Sequence, residues 1–256
     1  MNKKEHIQEA YINQKALLDD YILNFNSKGK AFGNQDRNSL RLFDLGSKTI
    51  NAKSFKIPNL INKIAYRFFR KSKAQRSFEY ANILIQKGIG TPEPIAYYEF
   101  TTPLVFKNSY YISEQLDCEL TYRELCHDLN YPDHEAILRG FTRFTFDLHE
   151  KEINFLDHSP GNTLIKKVGD TYQYFLVDLN RMEFGPMDFE ARMKNFGRLT
   201  THKSMVKTMS DEYAKCLGES PEKVFVVMWG YTEAFQEKFQ RKQKLKKKLK
   251  FWKKHD

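Results

Sequence analysis

A polar loop between a long amphipathic helix and a short hairpin constrains the fold of this chain more than any other feature. The loop reads Asn154-Phe-Leu-Asp-His-Ser-Pro-Gly-Asn162. Apolar residues before it recur with helical spacing and predict a helix from about Asp133 to Lys151; they are Ile137, Phe141, Phe144 and Leu148. Two strand-like runs flank a Gly169-Asp170 turn of hairpin type, and the second run leads directly into Asp178.

Three polar side chains in this order have the chemistry that phosphoryl transfer requires. A carboxylate must orient the attacking hydroxyl and accept its proton, and oxygen ligands must hold the metal ion that bridges the nucleotide phosphates. Asp157 fits the first role, while Asn162 and Asp178 fit the ligands of Mg²⁺ or Mn²⁺. The Asp-x-x-x-x-Asn spacing is common by chance, so the prediction depends on its context. The alternative is an ordinary turn with a solvated aspartate.

The N-terminal half offers a cation for the phosphates of ATP. Strand-like runs begin at Tyr21, Leu40 and Thr49, and an amphipathic helix follows the third run. Kinase chemistry needs a strand lysine that a helix glutamate holds in place, and Lys53 with Glu79 meets this order. Lys56 is the competing choice because it shares a strand face with Ile50 and Ala52. Solvated surface positions are the alternative for all three charged residues.

Two further segments are candidates for nucleotide contacts. Gly29 and Gly33 bound a predicted turn where backbone amides could approach phosphates, although an ordinary turn fits equally well. The segment from Glu114 to Glu119 is typical of a hinge whose backbone faces adenine, with Glu114 and Leu116 as contact residues. A simple interdomain linker is the other interpretation.

The net charge of +10 comes from the C-terminal tail. Between Lys238 and Lys254 there are ten basic residues and no acid, so the rest of the chain is neutral. This disfavours a nucleic-acid-binding fold that is basic throughout. No apolar run approaches the roughly 18 residues of a membrane span, and Met1 to Asp19 lacks the apolar centre of a secretory signal. Three scattered cysteines favour a reducing compartment, so we expect a cytoplasmic protein.

Two basic segments are candidates for interaction surfaces. In the tail, Leu245, Leu249 and Trp252 share one helical face beside many cations, which is typical of a helix that an anionic bilayer attracts. A solvated or disordered tail and contact with nucleic acid are the alternatives. Lys63 to Arg76 holds six basic residues and no acid. It is interpreted as the charged outer face of a helix or as a contact for phosphorylated glycolipid head groups.

With these residues in place, the chain resembles the lipopolysaccharide kinase (Kdo/WaaP) family of the protein-kinase-like fold. The resemblance covers roughly Tyr21 to Leu199. It depends on four motifs: Lys53-Ser-Phe-Lys-Ile-Pro-Asn, Arg76-Ser-Phe-Glu79 with the Gly88-Ile-Gly-Thr-Pro-Glu-Pro run, Leu156-Asp-His-Ser-Pro-Gly-Asn162, and Leu176-Val-Asp-Leu-Asn-Arg-Met182. It implies an α+β, two-lobe fold with a small antiparallel sheet in the N-lobe and a mainly helical C-lobe.

The expected domains are an N-terminal helical extension (1–20), the N-lobe (21–116), the C-lobe (117–236) and the basic tail (237–256). By the same resemblance the protein uses ATP and a divalent metal to phosphorylate a Kdo or heptose sugar of the lipopolysaccharide inner core. It would work in the cytoplasm, at the inner face of the inner membrane.

Three departures from the wider kinase pattern bear on this expectation. Phe155-Leu156 replaces the usual His-Arg pair, Asp178 is followed by Leu-Asn rather than Phe-Gly, and no Ala-Pro-Glu follows. The short segment after Asp178 disfavours a platform for protein substrates. The Pro160-Gly161-Asn162 step is also similar to aminoglycoside and choline phosphotransferases, so a kinase for another small molecule, a protein kinase and a catalytically silent adaptor remain alternatives.

Overall fold

The computed structural model describes residues 1–33 and 38–252, with side chains described as far as residue 247. It divides the chain into two compact units. Unit 1 comprises Met1–Asp117 and Phe175–Arg181, and unit 2 comprises Cys118–Tyr174 and the described residues from Met182 onward. Unit 1 is a sheet with helices and unit 2 is mainly helical, which confirms the predicted α+β class.

Unit 1 is built on a six-stranded antiparallel sheet with the order β1-β5-β6-β4-β3-β2. The strands are β1 (Asn2–Ile7), β2 (Lys30–Phe32), β3 (Ser39–Leu45), β4 (Lys48–Ser54), β5 (Pro94–Thr101) and β6 (Phe106–Glu114). The helices are a short 3-10 helix (Glu9–Gln14), α1 (Lys15–Leu23), α2 (Leu60–Phe68) and α3 (Lys73–Gln86). Residues 94–100 of β5 are all buried, and α3 packs against this strand.

The N-terminal segment differs from the prediction. Residues Asn2–Ile7 form a strand that pairs with β5, so the predicted helical extension is wrong there. Pairing satisfies the backbone groups along the edge of β5, and this outweighs the helix preference of Lys and Glu. The predicted strand at Tyr21 is also wrong, because residues 21–23 complete α1. Helix α1 buries Leu18 and Ile22 in the unit 1 core, so their spacing of four reflects a helix face.

Unit 2 contains the predicted long helix and hairpin. Its helices are α4 (Tyr122–His127), α5 (His134–Glu150), α6 (Phe189–Phe196), α7 (Lys203–Leu217) and α8 (Pro221–Trp252). Its strands are β7 (Leu120–Thr121), β8 (Ile153–Phe155), β9 (Thr163–Val168), β10 (Thr171–Leu176, whose residues 175–176 belong to unit 1) and β11 (Met182–Phe184). β9 lies between β10 and β7, and β11 pairs with β8. Helix α5 and the turn at Gly169 confirm the two local predictions around the polar loop.

The core of unit 2 holds α5 in place and therefore sets where the polar loop begins. Ile137, Phe141 and Leu148 of the predicted stripe are fully buried. The basic tail continues helix α8 as far as Trp252. Over the residues that the structure describes, no helix is both long enough and apolar enough to cross a membrane.

Candidate active site

The loop that carries Asp157 and Asn162 is closed by its own hydrogen bonds. The side-chain amide of Asn162 donates to the backbone carbonyl of Asp157 at 2.8 Å, and the backbone N–H of Asn162 donates to the carbonyl of Ser159 at 2.9 Å. Because the Asn162 nitrogen is used within the loop, its amide oxygen is the group that can bind a cation. Gly161 permits close packing here, since a Cβ atom would lie 2.4 Å from the Arg123 guanidinium.

A single buried side chain, Asn195 near the end of α6, holds the start of this loop. Its Nδ2 donates to the carbonyl of Phe155 at 3.0 Å and to Oδ1 of Asn154 at 3.1 Å. Its Oδ1 accepts from Nδ1 of His158 at 2.8 Å and from Nε2 of His149 at 3.3 Å. All four partners of the amide are present, so the network is satisfied without water.

His158, next to Asp157, is buried and neutral. Its ring lies among Phe141, Phe155 and Phe196 at centroid distances of 5.3, 5.8 and 6.4 Å. Burial lowers the pKa of His158 to about 4. Sequence analysis left His158 open between acceptor positioning and loop structuring, and the bond to Asn195 favours the structural role.

Arg198 contacts the carboxylate of Asp157 directly. Its guanidinium donates to Oδ1 of Asp157 and to the carbonyl of Leu156, both at 3.1 Å. The guanidinium also lies 5.6 Å from the centre of the Phe235 ring on α8. The kinase pattern places an arginine immediately before the catalytic aspartate, whereas in this chain an arginine reaches the aspartate from a position 41 residues later in the sequence.

Asn195 and Arg198 were missed by the sequence analysis. Asn195 is the clearer omission, because it is an uncharged polar residue on a helix face between the buried residues Met193 and Phe196. A buried amide in such a place needs partners, and that requirement points to a polar network. Nothing in the local sequence identifies Asp157 as the partner of Arg198.

A cavity of about 750 Å³ in unit 2 adjoins the same loop. Leu156, His158 and Arg198 contribute to its wall, so it reaches the residues on both sides of Asp157. Its charged lining residues are Glu183, Glu190, Lys194, Arg198 and Lys238. This wall can form hydrogen bonds to hydroxyl groups and ion pairs to an anionic group of a bound molecule.

In unit 1, the structure brings together Lys53 and Asp178. The Lys53 ammonium donates to Oδ1 of Asp178 at 2.7 Å, and the two side chains are 15% and 34% exposed. Asn180 donates to the same oxygen at 2.7 Å. Over the described residues both contacts of this carboxylate use Oδ1, so Oδ2 can bind a cation without breaking them.

The backbone around Asp178 is fixed by the segment after α3. The N–H of Leu176 donates to the carbonyl of Gly90 at 2.8 Å, and the Thr91 hydroxyl donates to the carbonyl of Leu176 at 2.9 Å. Two residues later, Asp178 has a φ of 60°. Aspartate tolerates this left-handed conformation better than most residues, so the turn directs its carboxylate toward Lys53.

Glu79 and Lys56 lie apart from this ion pair. Glu79 accepts hydrogen bonds from Lys71 at 2.8 and 2.9 Å and from Gln75 at 2.9 Å, so its partner is Lys71 and not the predicted Lys53. Lys56 is exposed and follows the end of β4, whereas Lys53 lies within that strand. Of the two candidate lysines, Lys53 is therefore the one near Asp178.

The glycines and the hinge residues have structural roles that differ from the expectation. Gly29 and Gly33 do not bound a turn, because Lys30–Phe32 between them form β2 and pair with β3. Both have positive φ, and a Cβ on Gly29 would lie 2.6 Å from the Phe43 ring, so packing accounts for this glycine. Residues 34–37 of the connection that follows Gly33 lie outside the described residues.

The hinge segment is bonded within unit 1. The Glu114 carboxylate pairs with Lys48 and accepts from the Tyr11 hydroxyl, and the Glu114 N–H donates to the carbonyl of Glu93 at 2.9 Å. The carbonyl of Leu116 accepts from the side chain of Gln115 at 3.1 Å. The structure thus assigns the Glu114 side chain to an internal ion pair, and the predicted adenine contacts stay predictions.

The residues available for a divalent metal are oxygen donors. Asn162 of unit 2 offers an amide oxygen, and Asp178 of unit 1 offers a carboxylate oxygen. Such hard ligands fit Mg²⁺ or Mn²⁺ bound chiefly through water and phosphate oxygens. Within the described residues there is no cluster of three or more His, Cys, Asp or Glu that could hold a metal without such help.

Comparison with known proteins identifies the fold. No protein-family model and no curated protein matches this sequence. Among solved structures, the chain is similar to WaaP in complex with acyl carrier protein, with a TM-score of 0.63 and 14% sequence identity. The match covers 93% of this chain and 98% of that chain. The chain therefore has the α+β, kinase-like fold of WaaP.

Proposed function

We propose that this protein is an ATP-dependent kinase that phosphorylates a sugar hydroxyl of the lipopolysaccharide inner core, on Kdo or heptose. The observation that carries the proposal is the bond from the Asn162 amide to the Asp157 carbonyl at 2.8 Å. It presents a carboxylate and an amide oxygen from one short loop, in the order that proton acceptance and metal binding require. The WaaP-like fold and the Lys53–Asp178 pair support the same assignment.

Bound ATP supplies the phosphoryl group, and its divalent metal neutralises the phosphate charge. The acceptor oxygen forms the new P–O bond, the bond between the β- and γ-phosphates breaks, and ADP leaves. Asp157 accepts the hydroxyl proton and Arg198 orients its carboxylate. Asn162 and Asp178 hold the metal, and Lys53 pairs with the nucleotide phosphates. Glu79 acts as the partner of Lys53 only if it exchanges its bond to Lys71.

The cavity beside Asp157 is the proposed acceptor site. Its lysine and arginine side chains can pair with the carboxylate of Kdo or with a phosphate on heptose, while Glu183 and Glu190 can accept hydrogen bonds from sugar hydroxyls. A charged sugar fits this lining better than an apolar acceptor would.

The decisive experiment is transfer of radiolabelled γ-phosphate from ATP to purified deep-rough lipopolysaccharide. We expect transfer by the wild-type protein and none above background by Asp157→Ala. Asp170→Ala, in the exposed hairpin turn, is the matched control and should retain activity. Equal transfer by wild type and Asp157→Ala would overturn the assignment of the base. Transfer to an aminoglycoside or a protein instead of lipopolysaccharide would overturn the acceptor.

We also propose that the basic tail holds the protein at the inner face of the inner membrane. The tail is helical up to Trp252, and Phe239 and Leu245 are exposed beside its cations. Such a helix suits an anionic bilayer surface. Truncation after residue 237 should weaken flotation with anionic vesicles, and unchanged flotation would remove this role.

A further inference from the structure

Helix α2 presents its apolar side chains to solvent. Every exposed position of this nine-residue helix holds a large apolar residue. They are Leu60, Ile61, Ile64 and Phe68, with 65, 79, 42 and 54% exposure, and Phe69 directly after the helix is 81% exposed. A surface helix of a globular protein normally turns its apolar face to the core, so this orientation needs a different explanation.

The opposite face of α2 holds the helix in this orientation. The Tyr66 ring packs against the Phe106 ring of β6 at 5.7 Å, and Nε of Arg67 donates to the carbonyl of Thr102 at 3.0 Å. The helix starts at Asn59, whose side chain accepts from the N–H of Asn62 at 3.0 Å. Rolling the apolar face inward would break the ring contact and the arginine bond.

Positive charge adjoins the apolar face. The segment Lys63 to Arg76 contains six cations and no acid. Beside α2 is a groove of about 500 Å³ whose charged lining residues are Lys3, Lys4, Arg67, Arg70, Lys71 and Glu99. Glu99 lies 3.5 Å from Lys4, and Glu79 pairs with Lys71, so the groove keeps an excess of cations. Its chemistry matches anionic phosphate groups.

We propose that the apolar face of α2 and this basic groove form a docking surface for an anionic phospholipid bilayer. The apolar side chains stand out from the helix instead of lining a cleft, so they suit the fluid boundary between head groups and acyl chains. The cations lie where anionic head groups would meet them, and each cation near such a surface strengthens binding about fivefold. The surface belongs to unit 1, is separate from the basic tail, and does not depend on the proposed kinase activity.

The test is flotation of the full-length protein with vesicles of phosphatidylcholine, with and without phosphatidylglycerol. The double substitution Ile61→Ser and Phe68→Ser should weaken binding to the anionic vesicles about tenfold or more, because two large side chains no longer leave water. Leu23→Ser is the matched control, since Leu23 is a 73% exposed apolar residue elsewhere in unit 1. It should bind as the wild type does. The tail is intact in all variants, so its contribution cancels.

A second variant tests the charge component. Lys63→Gln with Arg70→Gln should weaken binding to anionic vesicles about tenfold and leave binding to pure phosphatidylcholine unchanged. Melting temperatures should match the wild type because the substituted positions are largely on the surface. If the Ile61/Phe68 variant floats as well as Leu23→Ser, the proposal is overturned. If the wild-type protein binds neither kind of vesicle, the occupant of this face is an acidic protein or a second copy, and the lipid proposal also fails.

Discussion

Asp157 and Lys53, the two charged side chains at the centre of the proposed reaction, are held by different kinds of interaction. The loop of Asp157 depends on a buried network of neutral groups around Asn195, in which every hydrogen bond of the amide is satisfied. Lys53 depends on one ion pair with Asp178, which is partly open to solvent. The neutral network fixes a geometry, whereas the ion pair can exchange Asp178 for a phosphate at little cost because both partners are charged and accessible.

The largest expected effect is on the base. On the proposed function, Asp157→Asn should lower the rate of phosphoryl transfer by about 10²–10⁴-fold, because the amide cannot accept the hydroxyl proton. The Arg198 contact can persist with the amide oxygen, so the loop should stay folded. Single-turnover kinetics with saturating ATP measure the effect, and Asp170→Asn provides the control. A rate within a factor of about two of the wild type would exclude Asp157 as the base.

Substitution of Lys53 tests the exchangeable ion pair. Lys53→Met should lower kcat/KM for ATP on the order of 10²–10³-fold, since a charged donor to the phosphates is lost. Lys56→Met, three residues along the chain and exposed, should change it little. Steady-state kinetics at varied ATP distinguish the two lysines. The reverse order of effects would make Lys56 the phosphate anchor.

Substitution of Asn195 tests the neutral network. Asn195→Ala removes the partner of two buried histidine nitrogens and of the Phe155 carbonyl. Each buried group left without a partner costs about 1–3 kcal/mol of unfolding free energy. A loss of that size lowers the melting temperature by about 2–4 °C per kcal/mol for a chain of this length. Thermal unfolding of Asn195→Ala and of the exposed control Asn130→Ala checks this, and equal melting temperatures would show that the network contributes no stability.

The smallest effect is a pH dependence that the neutral network should have and the ion pair should lack. Burial lowers the pKa of His158 to about 4 and that of His149 to about 3, from an ordinary value of 6.5. Above pH 6.5 both rings are neutral in the folded and unfolded chain, so stability is complete. As the pH falls below 6.5, the unfolded chain binds protons that the folded chain does not, and stability is lost.

We expect each histidine to reduce the free energy of unfolding by on the order of 1–2 kcal/mol between pH 6.5 and about pH 5. Urea unfolding across this range measures the slope. His149→Gln should make the slope shallower, while the exposed control His127→Gln should leave it unchanged. A slope that His149→Gln does not alter would show that this ring is protonated in the folded protein.

Predictions that depended on local spacing succeeded more often than those that depended on partners. The stripe that ends at Leu148 identified α5, and the Gly169-Asp170 turn identified the hairpin, because both patterns arise within one element. At Tyr21 local alternation misled, since Leu18 and Ile22 bury one face of a helix. The expected bond from Lys53 to Glu79 also differs, because Lys71 lies closer to Glu79 and satisfies it.

The amino-acid sequence by itself determined the elements of this protein and the loop of Asp157 and Asn162, whose defining bond spans five residues. Only the tertiary structure decided which side chains support that loop and which lysine meets Asp178, since those contacts join residues 37 to 125 positions apart. It also decided that the apolar face of α2 points outward, because packing against β6 used the other face of the helix. Spacing along the chain specifies the faces of an element, but the partner of each face depends on which other elements pack against it.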